Sequence, residues 1–112
     1  MSHHNVRSQS DLFTSIASGK LLSDLRRNDR NYRAGDSITF HEIETYYNED
    51  NLPYIRLTGN SINAQISHVI TFEQYSNHLV GLEDHKDLVV LSIANVGLMI
   101  AHGAADLFLE DA

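Results

Sequence analysis

Residues 37–45, SITFHEIET, alternate polar and apolar side chains, with Ile38, Phe40 and Ile43 marking an imperfect apolar face. Period-two alternation in β-branched and aromatic residues is the signature of a half-buried strand, and this is the strongest such signal in the chain. Just upstream, NDRNYRAGD (28–36) is a polar loop ending in a Gly-Asp turn. Before it, LLSDLR (21–26) reads as another strand. Further back, Ser10 followed by DLFTSIASG reads as a short helix. Ser10 is its N-cap, Asp11 sits in its first turn, Leu12, Phe13 and Ile16 share a face, and Gly19 is the stop.

Downstream, YYNEDNLP is a loop holding Pro53, the single proline, and YIRLTGNSINAQISHVITF is either a hairpin turning at Gly59-Asn60 or one long bent strand. Residues 73–87 lack a strong period and suggest a helical turn around Tyr75 to Val80. LVVLSIA (88–94) is continuous and β-branched, as a buried closing strand should be. From Asn95 the apolar residues Val96, Met99, Ile100, Ala104, Leu107 and Phe108 recur at helical spacing, which predicts a C-terminal amphipathic helix. This order predicts an α+β fold: a small, strongly bent antiparallel sheet, best drawn as a barrel, with a helix at each end.

The 112 residues suit one domain. The absence of cysteine excludes disulfides, thiolate zinc sites and cysteine nucleophiles. The apolar run LVVLSIANVGLMIA is broken by Ser92, Asn95 and Gly97, too interrupted for a membrane span, and MSHHNVRSQSD is no secretory signal. A cytoplasmic location, in a cell or an infected host cell, is the resulting expectation.

Charge is unevenly placed. Six of eight basic residues (Arg7, Lys20, Arg26, Arg27, Arg30, Arg33) precede Gly35, so the first 35 residues carry +3 and the remaining 77 carry −10. A basic segment in a chain of net charge −7 points to an anionic ligand at one place, with bulk polyanions repelled elsewhere. The seven histidines form no His-x-His or His-x-x-x-His pair with a carboxylate at ligand spacing, and no glycine-rich phosphate loop is present; no metal or cofactor is expected.

The N-terminal motifs, His4-Asn-Val-Arg7, Ser18-Gly19-Lys20, Asp24-Leu25-Arg26, Asn28-Asp29-Arg30 and Gly35-Asp36, resemble those of the ASCH-like domains of unknown function common in phages and bacteria. Leu57-Thr58-Gly59-Asn60, Ile62, Ile66, His68-Val69-Ile70, Gly81-Leu82 and Val89 to Ile93 continue the same pattern. The resemblance covers residues 4–93. It implies a PUA-like (ASCH-type) β-barrel over residues 1–93, a fold used mainly in RNA-associated proteins; residues 94–112 have no counterpart in it and are read as a helical extension that packs on the domain or projects from it.

A cleft is implied at Lys20, Asp24 and Arg26, with Asn28, Asp29 and Arg30 on the neighbouring loop and His4 nearby. Arginine forks can hold phosphate or stack on a base, and Tyr32, Tyr46 and Tyr47 offer further stacking faces. The candidate ligand-binding residues are therefore Lys20, Asp24, Arg26, Arg27, Asn28, Arg30, Tyr32 and His4. The expected function is non-enzymatic binding of single-stranded RNA or a nucleotide.

Two alternatives stand beside it. Some ASCH proteins are amidohydrolases that deacetylate modified cytidine with a lysine, a threonine three residues on, and a glutamate. Here those first two positions are Leu21 and Asp24, and only a shifted register would offer Lys20 and Ser23 with Glu42 or Glu73. An arginine of the pattern near the Thr-Gly turn is Asn60 in this chain. The other alternative is a phage-encoded module that binds a host protein, or a second copy of itself, through the C-terminal helix.

Overall fold

The computed structural model describes residues 1–73 and 87–100. They form a predominantly β structure with one short helix: β1 His3–Gln9, α1 Ser10–Ala17, β2 Ser23–Arg27, β3 Ser37–Tyr47, β4 Pro53–Thr71 and β5 Leu88–Met99. The strands make one sheet in the order β1-β3-β4-β5-β2, with β1 parallel to β3 and the other pairs antiparallel.

β3 is the strand that SITFHEIET announces, and its imperfect alternation has a structural cause. Between the pairs His41–Ser61 and Ile43–Leu57 the register slips, so that Thr58, Gly59 and Asn60 of β4 stand opposite the lone Glu42. A bulge of this kind moves the apolar phase on by one residue, which is why Phe40 and Ile43, three apart, are both buried. Gly59 takes φ +94° at this point, a left-handed conformation that costs glycine little. β4 is thus the long bent strand, and the hairpin alternative at Gly59-Asn60 is not adopted. The true β3–β4 hairpin turns at Asn48–Leu52. There the Asn48 side-chain oxygen accepts from the Asp50 and Leu52 amides at 2.9 Å, and Asn51 adopts φ +61°.

The core lies on one face. Val6, Ile38, Phe40, Ile62, Ala64, Ile66, Val89, Leu91 and Ile93 come from four strands, and Phe13 and Ile16 from α1 cover them. Burial of each large apolar side chain contributes about 1.5–3 kcal/mol. α1 is where the sequence places it, with two differences. Leu12 is exposed rather than on the packed face. Gln9, not Ser10, precedes the helix, because the Ser10 hydroxyl donates to the Ile43 carbonyl and ties α1 to β3 instead of capping it.

The barrel with a helix at each end is not what forms. The sheet is open: β1 and β2 are its edges, and no ladder joins them among the described residues. β2 is five residues long and is held by β5 alone, too short an edge to close a barrel. The expected C-terminal helix is also replaced over its first residues. Asn95 takes φ +56° at a one-residue bulge between the pairs Gln65–Ala94 and Asn63–Gly97, after which β5 continues to Met99. The long β4 offers that stretch an unfilled ladder, and ladder pairing wins over helical spacing. Residues 101–112, the rest of that helix, and the turn around Tyr75 to Val80 lie outside the described residues. β1 was not expected at all. Its buried positions are His4, Val6 and Ser8, an alternation too polar to read as a strand.

Candidate nucleotide-binding cleft

Backbone direction in the edge strand β1 sets one wall of the site. The Ser37 amide donates to the Ser2 carbonyl, so the even residues turn their backbone groups toward β3 and the odd residues, Asn5 and Arg7, toward the open edge. Across that edge the Arg26 guanidinium donates to the Arg7 carbonyl at 3.2 Å. Arg26 is held from two further sides: Nε donates to the buried Asp24 carboxylate, and the guanidinium lies 5.9 Å from the Phe40 ring centroid. Asp24 and Arg26, two apart on β2, share the inner face.

A concave cavity of about 550 Å³ opens against this bridge, lined by Asn5, Val6, Arg7, Arg26, Asp29, Arg30, His41 and Leu57. Three arginines therefore line one hollow. Arg26 is neutralised by Asp24, whereas the Arg7 and Arg30 side chains make no ion pair or hydrogen bond with any described residue. Opposite them, the Asn5 side-chain oxygen meets His41 Nε2 at 3.0 Å, which leaves the Asn5 amide hydrogens for another acceptor. Arg7 and His41 are register partners, so the parallel pairing of β1 with β3 is what brings them together.

The loop between β2 and β3 is shaped by a buried polar knot. Asp36, 4% exposed, accepts from the Ser2 amide at 3.0 Å, the Arg33 amide at 3.1 Å and His4 Nε2 at 2.8 Å. A carboxylate can only accept, so His4 Nε2 carries the proton. The His4 hydrogen bond, followed by the Ser2 amide, holds the Asp36 carboxyl below the usual aspartate range. Tyr32 packs on the His4 ring at 4.7 Å between centroids. Its hydroxyl is buried near the Arg26 guanidinium without a hydrogen bond of normal geometry to any described residue. Burial pushes the Tyr32 phenol up, and the Arg26 charge opposes it.

Of the residues singled out from the sequence, Arg26 and Arg30 line the cavity together with Asp29. Asp24 lies behind them, anchoring Arg26. Asn28 accepts from the Tyr32 amide at 3.4 Å and shapes the loop. His4 and Tyr32 are buried in the knot, so the Tyr32 ring face is covered by His4. Arg27 points to the other face, paired with Asp87 at 3.0 Å, and Lys20 is exposed on the turn after α1, away from the cavity. Leu21 packs half-buried against the core. Glu42 accepts from Thr58 at 2.7 Å and Asn60 at 2.9 Å within the bulge. Among the described residues no group of three metal-ligating side chains comes together.

Sequence reasoning did not name Asn5, Val6, Arg7, His41 or Leu57 as site residues: Asn5, Val6, Arg7 and Leu57 entered only as parts of the resembling motifs, and Arg7 also as charge. Nothing in the local pattern signals that β1 will lie beside β3.

In comparison with known proteins, residues 3–93 match the family model described as Domain of unknown function (DUF3850). No curated protein matches the chain.

Proposed function

The chain belongs to the DUF3850 family, a domain of unknown function, and we propose that this member is a non-enzymatic module that binds single-stranded RNA or a nucleotide in the cleft between β1 and the β2–β3 loop. The observation that carries the reading is the convergence of Arg7, Arg26 and Arg30 on one hollow in a chain of net charge −7. Two of those arginines, Arg7 and Arg30, make no side-chain ion pair or hydrogen bond with any described residue, and a phosphate supplies the acceptor pair that a guanidinium fork matches. Val6 and Leu57 give the hollow an apolar floor, and Asp29 and Asn5 supply an acceptor and a donor for base edges.

Kinship with the ASCH-like domains is part of the same proposal, supported by the Ser-Gly-Lys turn, the Asp-Leu-Arg strand and the Asn-Asp-Arg loop. Binding is favoured over amide hydrolysis because Leu21 is engaged with the core, Lys20 stands outside the cleft and Glu42 is occupied within the bulge. The acidic remainder of the surface favours a short single strand or a free nucleotide over long duplexes.

The test is a titration of the full chain with labelled single-stranded RNA and with mononucleotides at low and moderate salt. Affinity should fall with salt, and Arg30→Ala should weaken binding by about tenfold, the loss of one charge-assisted contact. No binding of either ligand at low salt would overturn the reading.

A further inference from the structure

We infer that the ligand is a single strand of at least two nucleotides, with the phosphodiester between them on Arg7 and the second base seated in an aliphatic hollow of the β3–β4 ribbon; this rests on the reading of the cleft as a nucleotide site. That hollow is a second cavity of about 180 Å³, lined by Arg7, Ile43, Ile55, Arg56 and Leu57. It shares Arg7 and Leu57 with the arginine-lined cavity, so the two adjoin. Ile55 and Leu57, two apart on β4, turn to one face, and Ile43 stands opposite Leu57 in register. Arg56, between them, turns to the other face, where its guanidinium lies 5.1 Å from the Tyr46 ring centroid. Arg7 is thus the cation at the junction. It lies two residues before Gln9, the register partner of Ile43, which sets charge and aliphatic wall about 6–7 Å apart along the strands.

Size separates the roles of the two cavities. The first, about 550 Å³, falls within the roughly 300–1,000 Å³ of sites that hold a small molecule unaided, and the second falls below that range. A hollow so small suits one flat ring whose attachment is held next door. A strand supplies that arrangement. One nucleotide fills the first cavity with its 5′-phosphate on Arg30, the linking phosphate meets Arg7, and the neighbouring base covers Ile43, Ile55 and Leu57. Neither Arg7 nor Arg30 has a side-chain ion pair or hydrogen bond with any described residue, so each can take a phosphate of its own. The three aliphatic side chains carry no hydrogen-bonding group, so the second base is held by burial of its faces and its edges are not read. A free mononucleotide leaves this hollow empty, which favours the strand.

Uridine 5′-monophosphate, the 5′-phosphorylated uridine dinucleotide, and the two dinucleotides that lack one or the other base, titrated against the full chain, provide the test. The intact dinucleotide should bind at least tenfold more tightly than the mononucleotide, and removal of either base should weaken it. Ile55 is 46% exposed, so its substitution spares the core. Ile55→Ser should weaken the dinucleotide about tenfold, equivalent to roughly 50–60 Å² of apolar surface no longer removed from water, and leave the mononucleotide unchanged. Ile55→Leu should retain dinucleotide binding, and Arg30→Ala should weaken both ligands. Mononucleotide binding as tight as dinucleotide binding, a dinucleotide insensitive to Ile55→Ser, or a mononucleotide weakened by it would overturn the inference while leaving the cleft reading intact. Failure of every probe to bind would overturn the cleft reading, and this inference with it.

Discussion

Tyr32 and Asp36 show how the loop that carries Arg30 is held. Asp36 gathers three donors in a buried position, and its carboxyl is depressed below the usual value. A group whose folded value is depressed adds stability above its unfolded value of about 3.9, and that contribution disappears as pH falls through the lower folded value. Urea unfolding should therefore show stability declining below about pH 4, and Asp36→Asn should lose part of that acid dependence. Tyr32 makes the opposite point. Its buried hydroxyl lacks a partner of normal geometry among the described residues, so Tyr32→Phe should be neutral or stabilise by up to about 1 kcal/mol. A loss beyond that in the same unfolding assay would show that the hydroxyl is engaged with Arg26.

At the scale of elements, the bulge in β4 is the feature on which the cleft depends. It shifts the phase of β4 so that Leu57 lines the cleft while Ile62, Ala64 and Ile66 stay in the core. Gly59 permits it through a left-handed backbone, and Gly59→Ala should cost about 1–2 kcal/mol in urea unfolding. The Glu42 contacts to Thr58 and Asn60 fasten the same bulge from β3. The edge strands matter equally. Because β1 and β2 do not pair, the Arg7 carbonyl at the open edge accepts from the Arg26 guanidinium, which bridges the gap as a side chain instead of a ladder.

For the whole molecule, stability rests on one core, and the proposed recognition on one charge asymmetry. Phe40 is fully buried in the core, and Phe40→Ala should cost about 3–5 kcal/mol in urea unfolding, a large share of the roughly 5–15 kcal/mol that holds an ordinary domain together. No helix among the described residues is long and apolar enough to cross a membrane. On the proposed reading, about two phosphates meet Arg30 and Arg7. The slope of log affinity against log salt for a single strand should then be about −1.4, and a fourfold rise in salt should weaken binding about 7-fold. A flat salt dependence would remove the phosphate contacts from the proposal.

Local pattern determined much of this protein. The alternation in SITFHEIET and the β-branched run from Leu88 specify strands, Phe13, Ile16 and Gly19 specify the helix and its end, and the concentration of arginine before Gly35 sets the charge asymmetry. These signals are legible because they depend on neighbours along the chain: period, turn chemistry and net charge. What pairs with what depends on contacts far apart in sequence. His4, Val6 and Ser8 become a strand because β3 offers them a partner. Asn95 becomes a bulge rather than a helix start because β4 is long enough to pair beyond it. Lys20, equal to Arg26 in the sequence, falls outside the cleft, and His41 and Leu57, unmarked as site residues in the sequence, line it. Such outcomes are decided by ladder hydrogen bonds and shared burial, which local spacing cannot encode, and it is these that turn a basic stretch into a groove.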